Sequence, residues 1–135
     1  MRLLLDTHAL IWWWTDDGRL PSGARKVIAD PENVVMVSAA SAWEIATKSR
    51  LGKWPQVDAM IEDFAGLLRR SRFAELPITV AHVRLAGALD GDHRDPFDRM
   101  LAAQCWIERT PIVTADEVFR EFAVPVIWKR ASVRS

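Results

Sequence analysis

Apolar residues in this chain fall into two patterns. Short continuous runs, Leu3-Leu4-Leu5, Val34-Val35-Met36-Val37, Ile112-Val113 and Val126-Ile127, sit between polar or proline boundaries, as parallel strands buried on both faces do. Longer stretches with helical spacing separate them. The chain reads as strand at Arg2–Asp6, helix from Thr7 to about Trp14, helix capped by Ser22 and running to about Ala29, and strand at Val34–Val37. A helix from Ser41 to about Leu51, ended by Gly52, and another over roughly Val57–Arg70 come next. A short strand within Ala74–Ile78, a helix over Thr79–Leu89 and a helix from Asp95-Pro96 to Ile107 follow. A strand at Pro111–Thr114, a short helix at Glu117–Phe122 and a last strand at Pro125–Trp128 complete the pattern. Such alternation predicts an α/β domain.

At 135 residues, with half of them hydrophobic, the chain is long enough for one domain with a substantial core, expected over residues 1–130 with a flexible tail at 131–135. Lys plus Arg equals Asp plus Glu at 18 each, so bulk charge gives no sign of nucleic-acid binding, and any such contact must be local. The single cysteine, Cys105, excludes an intrachain disulfide and lies in an apolar helical stretch, as a buried, inert thiol would. Leu3–Trp14, interrupted by Asp6 and His8, falls short of the roughly 20 apolar residues that span a bilayer, and it lacks a cleavage-site pattern. A cytoplasmic protein with no membrane partner is expected.

Four acids stand where a strand has just ended or a helix begins: Asp6, Glu44, Asp98 and Asp116. In an open parallel sheet those junctions share the edge outside the carboxyl ends of the strands, where ligands bind. Carboxylates brought together there repel one another unless a cation intervenes, and oxygen ligands suit Mg²⁺ or Mn²⁺. Each acid also has a structural reading. Asp6 and Asp116 suit helix N-caps, Ser41-x-x-Glu44 fits a capping box, and Lys48 offers Glu44 an ion pair one turn on. Asp95-Pro-Phe-Asp98 resembles a capped helix start, with Asp95 as cap and Asp98 as the preferred ligand. Thr7 is placed to steady Asp6, and Thr114 to steady Asp116 or meet a phosphate oxygen.

The order Leu5-Asp6-Thr7-His8, Ser38-Ala-Ala-Ser41-Ala-Trp-Glu44-Ile-Ala-Thr-Lys48, His93-Arg-Asp-Pro-Phe-Asp-Arg99 and Thr114-Ala-Asp116 resembles the PIN-domain ribonucleases, and more narrowly the VapC-type toxins of bacterial toxin–antitoxin pairs. The resemblance covers nearly the whole chain, and Asp-Pro-Phe-Asp-Arg is its most specific segment. It implies a three-layer α/β/α fold with a central parallel sheet in the order 3-2-1-4-5. It further implies Mg²⁺- or Mn²⁺-dependent cleavage of RNA to 5′-phosphate and 3′-hydroxyl ends, a small cognate antitoxin protein, and a homodimer. The family's acidic positions match Asp6, Glu44, Asp98 and Asp116, with none missing.

The expected chemistry is in-line attack by a cation-activated water on a phosphodiester, with Asp6 and Asp98 as ligands and Glu44 and Asp116 completing the site. One and two ions both satisfy the pattern. Among the basic residues, Lys48 and Arg99 lie within a turn of a proposed ligand and are the best candidates to grip substrate. The three histidines, His8, His82 and His93, read as surface or packing residues, with His82 in mid-helix. Trp43 is expected to pack on the sheet rather than stack on a base. Trp12-Trp13-Trp14 spans nearly a full turn, so at least one indole should face outward or meet a partner. Two rival readings use the same acids. A haloacid-dehalogenase-like phosphatase would need a second Asp two residues after the first, where this chain has His8, and a non-catalytic module would need only the caps.

Overall fold

A computed structural model describes residues 1–129; the tail expected at 131–135 lies outside them. Five strands, β1 (Arg2–Leu5), β2 (Val34–Ser38), β3 (Ala74–Leu76), β4 (Ile112–Val113) and β5 (Val126–Ile127), form one sheet in the order β3-β2-β1-β4-β5. Every pairing is parallel, with Leu4 opposite Met36 on one side and Ile112 on the other. This is the expected PIN-like order. It follows from chain direction: β1, β2 and β3 build outward one way, and the chain then crosses back to lay β4 and β5 on the far side of β1.

The continuous apolar runs are explained by two cores, one on each face. Leu3, Leu5, Val35, Val37, Val113 and Ile127 point into one, under α1 (Thr7–Trp14), α2 (Ser22–Ala29) and α5 (Phe64–Ser71). Leu4, Met36, Ile112 and Val126 point into the other, under α7 (Pro96–Glu108) and α8 (Val118–Glu121). Successive strand residues face opposite sides, so both faces demand apolar side chains. The Cys105 thiol lies in the second core, where burial pushes its pKa up, as befits an inert sulfur.

Several local expectations are corrected. The N-cap of α2 is Pro21 rather than Ser22, which is its first helical residue, and no side-chain capping bond forms there among the described residues. The helix expected over Val57–Arg70 is a 3₁₀ turn (Pro55–Val57), α4 (Asp58–Glu62) and α5, with the break at Asp63. The helix after β2, α3 (Ala39–Arg50), starts earlier than Ser41 because Ser38 caps it, its hydroxyl accepting from the Ala40 amide. Glu44 is thereby freed from the capping box. His82 stands in the first turn of α6 (Val80–Ala88), not in mid-helix; its Nδ1 accepts from the Thr79 amide and its Nε2 meets Glu108 at 2.9 Å. The three indoles Trp12, Trp13 and Trp14 are each half-buried, packed against Trp128, Phe73 and Phe64 respectively, and Trp12 also opens onto a surface pocket.

Candidate active site

The strand order reverses between β1 and β4, and the crevice beyond their carboxyl ends is where an open α/β sheet receives ligands. A pocket of about 390 Å³ opens near there, lined by Asp6, Thr7, His8, Trp12, Glu44, Lys48, Asp95, Asp98, Ala115 and Asp116. All four candidate acids meet in it, from four parts of the chain: the end of β1, α3, the first turn of α7 and the loop after β4.

Asp6 is the most constrained of them. It is the N-cap of α1, its Oδ1 accepting from the Ala9 amide at 2.7 Å, and its Oδ2 accepts from the Thr114 hydroxyl. Thr114 in turn accepts from the Asp116 amide at 2.9 Å, so one buried hydroxyl ties the end of β1 to the loop after β4. Thr7, expected to steady Asp6, instead donates to Ser41 and joins α1 to α3. Burial raises the Asp6 pKa to about 6 against its two hydrogen bonds, and the charges of Asp116 and Glu44 add to the rise.

Asp98 shows the same balance. Burial raises its pKa to about 6, opposed by the 2.9 Å hydrogen bond from His93, while Asp95 and Asp116 push it upward. Asp95 caps α7, accepting from the amides of Phe97 and Asp98. Glu44 is buried and pairs with Lys48 Nζ at 3.3 Å. Asp116 accepts from the Val118 amide at the start of α8. Arg99 does not reach the pocket lining; its guanidinium donates to the carbonyls of Ala86, Leu89 and His93 and so holds the loop that carries His93 against Asp98. Trp43 is 58% exposed and meets Phe97 edge to face, rather than lying on the sheet.

Among the described residues no three Asp, Glu, His or Cys groups are gathered as a ready-made coordination set. The donors fit a hard cation nonetheless. They are all carboxylate oxygens, burial and neighbouring acids hold the pKa values of Asp6 and Asp98 up, and Mg²⁺ takes only one or two carboxylates while keeping several waters. Three pocket residues were not anticipated as site residues: Ala115, which follows Thr114 in the loop after β4, and His8 and Trp12 on α1. The spacing of His8 and Trp12, two and six residues after Asp6 on one helix, carried the signal, because i and i+4 share a face. Trp54, against His8, comes from the turn after α3 and had no such signal.

Fold and site together define an open α/β protein with an acid-lined crevice at its topological switch point. The family model described as PIN domain matches residues 3–125, and the chain belongs to the PIN-domain family. It is similar to ribonuclease VapC16 of Mycobacterium tuberculosis, 38% identical over 58 residues; the match spans 43% of this chain and 41% of that relative's length. Among solved structures, VapBC2 from Rickettsia felis bound to a promoter DNA fragment shares the fold with a TM-score of 0.66 at 17% identity, over 90% of this chain and 93% of that one. VapBC-1 from nontypeable Haemophilus influenzae has a TM-score of 0.61 at 17% identity, over 91% and 92% of the two chains.

Proposed function

We propose that the chain is a Mg²⁺- or Mn²⁺-dependent endoribonuclease, the toxin of a type II toxin–antitoxin pair that works in the cytoplasm as a homodimer and is silenced by a cognate antitoxin protein. The observation that carries this reading is the meeting of Asp6, Glu44, Asp98 and Asp116 in one crevice of a PIN-family fold. Similarity to ribonuclease VapC16 and to the VapBC2 and VapBC-1 structures supports the biological setting.

Asp6 and Asp98 are the residues to hold the cation, with Glu44 and Asp116 completing the rim or orienting the attacking water. A bound Mg²⁺ or Mn²⁺ supplies Lewis-acid polarisation of the phosphodiester and lowers the pKa of water. Thr114 fixes the Asp6 carboxylate, His93 fixes that of Asp98, and Lys48 places a positive charge beside Glu44 for a backbone phosphate. The capping bonds of Asp6 and Asp95 also suit a module with no chemistry. Caps alone leave the cost unexplained, however: a surface cap has its charge favoured by the helix, whereas Asp6 and Asp98 are crowded with other acids in a place where charge is disfavoured.

The test is incubation of purified, partner-free protein with total RNA and Mn²⁺, followed by sequencing of the new ends. Cleavage should stop in EDTA and in folded Asp6→Asn and Asp98→Asn. Cleavage that persists in EDTA removes the metal mechanism, and trapping of an aspartyl-phosphate on Asp6 would favour a phosphatase.

A further inference from the structure

One wall of the acid pocket is aromatic. His8 is the exposed residue in the first turn of α1, where Thr7, Ala9, Leu10 and Ile11 are all buried. Its imidazole stands 5.0 Å from the Trp54 ring, edge to face, and 5.7 Å from Trp12. Lys48 Nζ lies 4.5 Å from the centre of the Trp54 ring while also pairing with Glu44. Packing alone does not account for this arrangement, because rings serving only the core would be covered, and His8 is exposed on the pocket's lip. An exposed ring braced by others, one of which also carries a cation on its face, suits a nucleobase attached to a phosphate: bases of every kind stack on aromatic side chains, histidine included, and the cation takes the backbone charge.

We propose that His8, braced by Trp54 and flanked by Trp12, is the stacking subsite for an unpaired base next to the scissile phosphate, with Lys48 contacting the adjoining backbone. The proposal rests on the ribonuclease reading, from which it takes an RNA strand with its scissile phosphate at the acids. His8 acts through its ring face, so phenylalanine should replace it and alanine should not.

The decisive measurement compares a labelled single-stranded oligoribonucleotide with an abasic strand of equal length, by fluorescence anisotropy in EDTA. Wild type should bind the base-bearing strand about fivefold or more tightly than the abasic one. His8→Ala should lose that preference and raise KM with little change in kcat for cleavage in Mn²⁺, and His8→Phe should restore both. Thermal melts confirm that each variant folds. Failure of the base-bearing strand to outbind its abasic twin, whether both bind or neither does, overturns the subsite. So does a His8→Ala defect confined to kcat and not rescued by phenylalanine, which would make the imidazole a proton carrier. If wild type shows the base preference yet cuts no RNA in Mn²⁺, the ribonuclease reading fails and the stacking surface stands.

Discussion

At the scale of single residues, Asp6 is where charge and stability are opposed. Its pKa rises from 3.8 to about 6 on folding, so the folded protein holds this proton more tightly than the unfolded chain. Stability from that difference is fully present below pH 4 and is lost as pH climbs through about 6. Metal-free Asp6→Asn should therefore match wild type near pH 4 and exceed it by up to about 3 kcal/mol above pH 6.5, as read by denaturation in EDTA. Equal curves at both pH values would mean that burial places no such cost on the Asp6 charge. Thr114 is the opposite case: its buried hydroxyl serves both Asp6 and the Asp116 amide, and isosteric Thr114→Val strands both. Urea unfolding should show a loss of about 1–3 kcal/mol, with cleavage lowered as well. The acids were legible in the sequence because strand ends and helix starts fix where a side chain emerges. Their supports were not: Thr7 and Thr114 look alike beside an Asp, and only the crossover of the chain decides which hydroxyl reaches it.

At the scale of elements, boundaries marked by local chemistry could be read directly, as at Asp95-Pro96, where a cap and a proline begin α7. The break at Asp63 could not. Met60, Phe64, Leu67 and Leu68 keep a helical period across it and all pack on one core, Phe64 against Trp14, so the apolar pattern carries no mark of the division. Dependence on neighbours separates two helical glycines. A β-carbon on Gly23 would stand 2.2 Å from the Lys129 carbonyl oxygen, which is backbone, so Gly23→Ala must push α2 away from the chain leaving β5. On Gly66 it would meet the Asp63 carboxylate at 2.3 Å, a side chain that is 58% exposed and held, among the described residues, only by a surface ion pair with Arg70, so it can swing aside. Gly23→Ala should cost about 1–3 kcal/mol, against the usual helix gain of about 0.5–1 kcal/mol, and Gly66→Ala should be near neutral. Thermal melts of the pair decide it; similar losses in both would refute the distinction.

At the scale of the whole molecule, the sheet order was legible only through family resemblance, because periodicity yields strands without their neighbours. Once that order is given, gathering the acids requires nothing further: reversal at β1 brings the end of the first strand beside the end of the fourth, across 108 residues of chain. A cation bridging those acids would join distant segments and so stabilise the fold globally. Mn²⁺ at 100 times its Kd should raise unfolding free energy by about 2.7 kcal/mol, and by much less in Asp98→Asn. Because Asp6 and Asp98 must shed protons to bind, the gain should be larger at pH 8 than at pH 5.5; a pH-independent gain would place the ion elsewhere. The indole of Trp12 lines the crevice, and that of Trp54 touches the imidazole at its lip. The molecule thus carries its own lamp at the doorway, and whatever enters should alter the colour or brightness of its ultraviolet emission without any dye.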